Sequence, residues 1–131
     1  MDLTTKFMHL ELSSPIVAGA SPLSKDLRNI KLLAEAGAGA VVMHSIFQEQ
    51  LAVEAENLDH FLEQGGESFG EAVSHFPAIE SFQVGPEQYL RNIAAAKQAV
   101  DIPIIASLNG VSADGWADYA EGVQTAGADA L

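Results

Sequence analysis

Cysteine does not occur in this chain of 131 residues. Its absence excludes a disulfide, a thiolate metal site and a cysteine nucleophile. Positive charge is scarce: 6 Lys and Arg stand against 18 Asp and Glu, a formal charge of −12. Sequence-independent nucleic-acid binding rests on cations that neutralise phosphates, so this balance argues against it. It argues equally against an anionic membrane surface. No apolar run approaches the ~18 residues of a spanning helix. Met1-Asp2-Leu3-Thr4-Thr5-Lys6 carries no basic-then-apolar leader pattern. Aromatic residues are few, at 7%, yet hydrophobic residues reach 48%, enough for a packed core in one domain. A soluble, cytoplasmic protein is expected.

The acidity is uneven. No Lys or Arg lies between Lys31 and Arg91, while Glu35, Glu49, Glu54, Glu56, Asp59, Glu63, Glu67, Glu71, Glu80 and Glu87 fall in that interval. A solvated face is the plain reading; a partner-binding or substrate-gating insertion is the sharper one. The carboxylates lack EF-hand spacing, so no metal site is assigned to them.

Short apolar runs alternate with amphipathic segments. Ile16-Val17-Ala18-Gly19-Ala20 reads as a buried strand entering a loop. Ser24 is placed to cap the following helix, whose Leu27, Ile30, Leu33 and Ala34 keep helical spacing until Gly37. Ala40-Val41-Val42-Met43 is a second strand, continuously apolar as a covered parallel strand should be. Pro86 opens a helix lined by Leu90, Ile93 and Val100, and Ile104 to Leu108 forms a third strand turned by Asn109-Gly110. Ser112 is the next expected cap, before a helix with Trp116, Tyr119, Ala120 and Val123 on one face. Gly127 stops that helix, and Ala128-Asp129-Ala130-Leu131 starts a fourth strand. Glu35 to Val41 and Thr125 to Leu131 repeat one event, a helix stopped at Gly and a strand begun about three residues later. The second interval between strand starts is longer than the others by roughly 38 residues, an acidic insertion over about 48–85. Leu51, Ala55, Leu58 and Leu62 keep helical spacing inside it, and Gly65 to Gly85 reads as irregular and mobile.

Three complete strand–helix units and the first residues of a fourth strand suggest an α/β fold, the first half of a (β/α)8 TIM barrel, since the whole takes about 250 residues. Residues 1–131 are then expected to be an N-terminal half, cut at the start of strand four. Leu3-Thr4-Thr5-Lys6-Phe7 and His9-Leu10-Glu11-Leu12 read as an N-terminal hairpin that would plug the barrel mouth. The alternative is a small doubly wound sheet, which usually wants one more strand. An open half-barrel would expose Ile16, Val17, Val41, Ile104 and Ile105 and two strand edges, so a homo-oligomer or aggregate is expected.

Barrel active sites lie at the C-terminal ends of the strands. That rule selects Gly19, Ala20, Ser21 and Pro22 after strand one, His44, Ser45 and Ile46 after strand two, and Ser107, Asn109 and Gly110 after strand three. The set is small, polar and nearly uncharged, suited to a planar hydrogen-bonding ligand. It holds no carboxylate to orient His44, so it makes no hydrolytic triad. Gly19-Ala20-Ser21 also reads as a tight turn, His44 as a core histidine and Asn109-Gly110 as a turn dipeptide. His9, His60 and His75 show no metal-ligand spacing.

Three segments, Ser14 to Pro22, Ala36 to Ser45 and Ile102 to Gly110, together resemble the dihydroorotate dehydrogenase family, most closely its dihydroorotate dehydrogenase-like branch. The resemblance implies an FMN-dependent barrel that oxidises a CH–CH bond of a small-molecule substrate, dihydroorotate to orotate in pyrimidine synthesis. It implies that Ala20 and Ser21 lie against the flavin, with His44, Ser45, Ser107 and Asn109 completing this wall of the cofactor site. His44 stands where the family has Lys, and a neutral imidazole is a poorer counter-charge for a reduced flavin or for orotate. The family's catalytic base and phosphate site lie beyond the residues matched, so these residues alone are expected to be inactive. A non-catalytic, self-associating half-barrel and a different phosphate-ligand barrel, a synthase or isomerase, are the competing readings.

Overall fold

The computed structural model describes residues 2–47, 86–110 and 113–131. The acidic insertion, its Leu51–Leu62 helix, the irregular stretch to Gly85 and the cap at Ser112 lie outside the described residues.

The chain opens with an antiparallel hairpin, β1 (Thr5–Phe7) against β2 (Leu10–Leu12). Its two turn residues, Met8 and His9, both have positive φ, 49° and 64°. That is the backbone shape that matches the twist of a two-residue hairpin. Three parallel strands follow: β3 (Val17–Ala18), β4 (Ala40–Val42) and β6 (Ile104–Ile105). They lie in the order β3-β4-β6, and Ala130 bridges in parallel to Ile105, so the described parallel strands adjoin in chain order. Beyond β4 and β6 a second parallel pair, β5 (Ile46–Phe47) and β7 (Leu108–Asn109), carries the two strands further.

Helices α1 (Leu27–Glu35), α2 (Pro86–Ala99) and α3 (Ala113–Thr125) all pack on one face of this sheet. Ile30 of α1, Tyr89, Ile93 and Ala96 of α2, and Val123 of α3 share one buried cluster with Val41, Met43, Ile104 and Ala106. The opposite face is covered by the hairpin: Leu12, with Leu10 beside it, packs on Ala40, Val42, Val17 and Ile105. A doubly wound sheet carries helices on both faces and reverses its strand order. Neither feature occurs among the described residues. The architecture is an α/β sheet wound in one direction.

The alternation of the strands corrects one expectation. Val41 and Ile104 point toward the helices, whereas Val17 and Ile105 point away. Ile16 precedes the strand and is exposed. Strands covered on both faces lose the polar half of their pattern, so sequence does not say which residue faces which way.

Both expected helix stops take the same form. Gly37 and Gly127 have φ of 93° and 91°. Gly37 N–H donates to Ala34 O and Ala38 N–H to Leu33 O; Gly127 N–H donates to Gln124 O and Ala128 N–H to Val123 O. This paired closure satisfies the last carbonyls of the helix and needs a left-handed residue at its centre. At the other end of α1 the cap is Asp26, whose carboxylate accepts from Arg28 N–H. Ser24, the expected cap, sits one turn earlier in a 3-10 turn (Pro22–Lys25) and donates its hydroxyl to Ser21 O.

Candidate functional site

The paired strands change register once, and this sets the site. Val41 lies opposite Ile104 and Val42 opposite Ile105, but Ile46 lies opposite Leu108 and Phe47 opposite Asn109. The first pair of offsets exceeds the second by one residue. The hydrogen bonds step the same way: Val41 N–H to Pro103 O, Met43 N–H to Ile105 O, then Ile46 N–H to Ser107 O. Strand two therefore holds one extra residue between Met43 and Ile46, a bulge at His44-Ser45. Bulges bend a strand and re-aim its side chains, often beside active sites.

The bulge sends His44 and Ser45 to different partners. Ser45 Oγ lies 2.8 Å from Ser107 Oγ. One hydroxyl donates to the other, which leaves the pair one O–H to offer and spare lone pairs to accept. His44 instead meets Tyr89 of α2 edge to face, with ring centroids 5.1 Å apart and planes at 82°. Its Nδ1 is enclosed and has no hydrogen-bond partner among the described residues. Burial pushes the imidazole below its ordinary pKa and the Lys25 ammonium adds to this, while a hydrogen bond with the Ser24 backbone opposes both. The ring is neutral at pH 7, with Nδ1 as an unfilled acceptor.

Tyr89 was not singled out by sequence. Its hydroxyl accepts from Ser107 N–H at 2.9 Å and donates to Ser107 O at 3.2 Å. Burial raises its pKa, so the phenol keeps its proton, although the Ser107 backbone bond works the other way. A signal for it was present: Tyr89, Ile93 and Ala96 recur at i, i+4 and i+7 as the fully buried face of α2, with Leu90 and Val100 partly buried against the same cluster.

The remaining expected site residues are less tied together. Ala20 is exposed and Ser21 half-buried on the loop after β3, without a side-chain hydrogen bond to Ser45 or Ser107. Gly19 has open space where a side chain would stand. Asn109 is exposed at the end of β7, in a strand and not in the expected turn. Gly110 lies tight under the Trp116 indole, which leaves no room for a β-carbon. Among the described residues, no group of three His, Asp or Glu is placed to hold a metal ion. No helix among them is long and apolar enough to cross a membrane.

No protein-family model matches this chain, and no curated protein matches it.

Proposed function

We propose that the C-terminal ends of these strands form one wall of an FMN site in a cytoplasmic α/β-barrel oxidoreductase resembling the dihydroorotate dehydrogenases, acting on a CH–CH bond of a small molecule. One observation carries this reading. A sheet wound in one direction, with all its described helices on one face, gathers Ser45, Ser107 and His44 where its strands end. Parallel sheets bind ligands at that end.

The residues fit the group. A hydroxyl pair that both donates and accepts suits the dione edge of an isoalloxazine ring. The open space at Gly19 and the small Ala20 and Ser21 leave room for a flat heterocycle. His44, Ser45, Ser107 and Asn109 would border it from the second and third strands. Bound FMN would supply hydride acceptance from an sp³ carbon, and the protein would supply orientation and electrostatics. His44 brings no positive charge, and the Lys25 ammonium acts on it electrostatically. A weakly charged substrate suits this wall better than a dianion.

A titration of FMN followed by quenching of its fluorescence tests the reading. Weak saturable quenching, above micromolar FMN because the family's phosphate site lies beyond the residues matched, is expected, and it should weaken about tenfold further in Ser45→Ala, the effect of one lost hydrogen bond. Unquenched FMN, or an affinity in Ser45→Ala and Ser107→Ala unchanged from that of the native chain, would refute it.

A further inference from the structure

The bulge at His44-Ser45 disturbs the ladder of strand three as well as that of strand two. Met43 N–H still reaches Ile105 O and Ile46 N–H reaches Ser107 O. A regular parallel ladder would also give Ser107 N–H a carbonyl on strand two, because parallel hydrogen bonds recur every second residue. With the register shifted, that N–H bonds no backbone group among the described residues and turns to the Tyr89 hydroxyl. The same hydroxyl donates back to Ser107 O, which already accepts from Ile46 N–H. One side chain on α2 thus holds both polar groups of the residue whose Oγ meets Ser45. Its ring also meets the His44 imidazole in an edge-to-face contact. Ile93 and Ala96, fully buried on the same face of α2, fix the helix that carries it.

We propose that Tyr89 is a positioning residue for the Ser45–Ser107 hydroxyl pair, its phenol taking the place of the ladder partner that the bulge removes. Without Tyr89 the residue would be held only by the Ile46 N–H bond to its carbonyl and by the Ser45 hydroxyl, and the Ser107 N–H would lose its acceptor. With Tyr89 the peptide is held from the helix side, and Ser107 Oγ is kept in the rotamer that faces Ser45. That the pair then faces a ligand rests on the flavin reading above; that Tyr89 holds it does not.

Tyr89→Phe in the 131-residue chain tests this, because it deletes the hydroxyl and keeps the ring. Amide exchange at Ser107 should quicken about tenfold, one hydrogen bond's worth, while Ile104 and Ile105 exchange as before. Three-bond couplings at Ser107 should change from one rotamer to an average. A residue that merely fills the core would lower the melting temperature and move neither signal. Unchanged exchange and a single Ser107 rotamer in Tyr89→Phe would overturn the proposal. FMN affinity separates the two ideas. If Tyr89 acts through the pair, Tyr89→Phe and Ser45→Ala together weaken FMN no more than either does alone. Fully additive losses would overturn it. A loosened Ser107 with FMN affinity untouched by every variant would uphold the positioning role and remove the flavin reading.

Discussion

The two ends of the sheet are built differently. At the N-terminal ends of the strands, polar groups are closed off in pairs. Gly39 donates to Ile16 O at 2.7 Å, and its Cα lies so close to the Ser14 carbonyl that no β-carbon fits. Asp129 accepts from Ile104 N–H at 2.7 Å and from Lys97 Nζ at 2.8 Å, tying the fourth strand to the third and to α2. The hairpin's Leu12 seals the sheet face nearby at 1% exposure. At the C-terminal ends the ladder is bulged, His44 Nδ1 has no partner among the described residues, a hydroxyl pair keeps spare capacity, and Phe47 and Asn109 are exposed. Among the described residues, one end pairs its polar groups and the other keeps hydrogen-bonding capacity at the Ser45–Ser107 pair. In parallel α/β folds these are the stability end and the binding end.

The sharpest test of this contrast compares two glycines. Gly39→Ala should cost about 3 kcal/mol, because the new methyl meets backbone that cannot rotate away. Gly19→Ala, with nothing within 4 Å of its β-carbon position, should change stability by less than about 0.5 kcal/mol. Urea denaturation of both variants measures the difference, and equal losses would erase the distinction between the ends.

Asp129→Ala comes next, at about 2 kcal/mol, because it leaves the N–H of buried Ile104 without its acceptor. Ser45→Ala at the other end should cost well under that in stability while weakening FMN. A melt in which the two variants fall together would contradict the assignment.

The smallest effect is a pH dependence. The folded His44 pKa lies below the unfolded value of 6.5, so the unfolded chain binds the proton more readily. The neutral ring's contribution is fully present above pH 6.5 and is lost as pH falls through the depressed folded pKa. The slope is smaller than the one-proton limit of about 1.4 kcal/mol per pH unit, because part of the ring remains in solvent. Denaturation at pH 7.5 and pH 5 should show this loss in the native chain and a smaller one in His44→Gln.

Much of the N-terminal end was legible in the sequence. Gly37 and Gly127 announce their helix stops because only glycine takes that φ cheaply. The apolar runs at Val17, Val41 and Ile104 announce strands, and the hairpin follows from its two short β-prone segments. The C-terminal end was legible as a set of residues and not as a geometry. A bulge is a property of pairing between two strands far apart in sequence, so nothing local to His44-Ser45 reveals it. Tyr89 was within reach of helical spacing, yet Leu90 competes with it one position away. Asp26 and Ser24 are equally good caps by residue type, and the 3-10 turn begun at Pro22 decided between them by using Ser24 internally.

Amide shift mapping of the chain with FMN tests the central claim most directly. The account predicts that perturbed amides gather at Ala20 and Ser21, His44 to Phe47 and Ser107 to Asn109, while Gly39, Ile104 and Asp129 at the opposite end stay unmoved. Shifts at those three residues, or along the groove between Leu90, Ala94 and Gly122 on the outer helices, or no shifts at all, would contradict it.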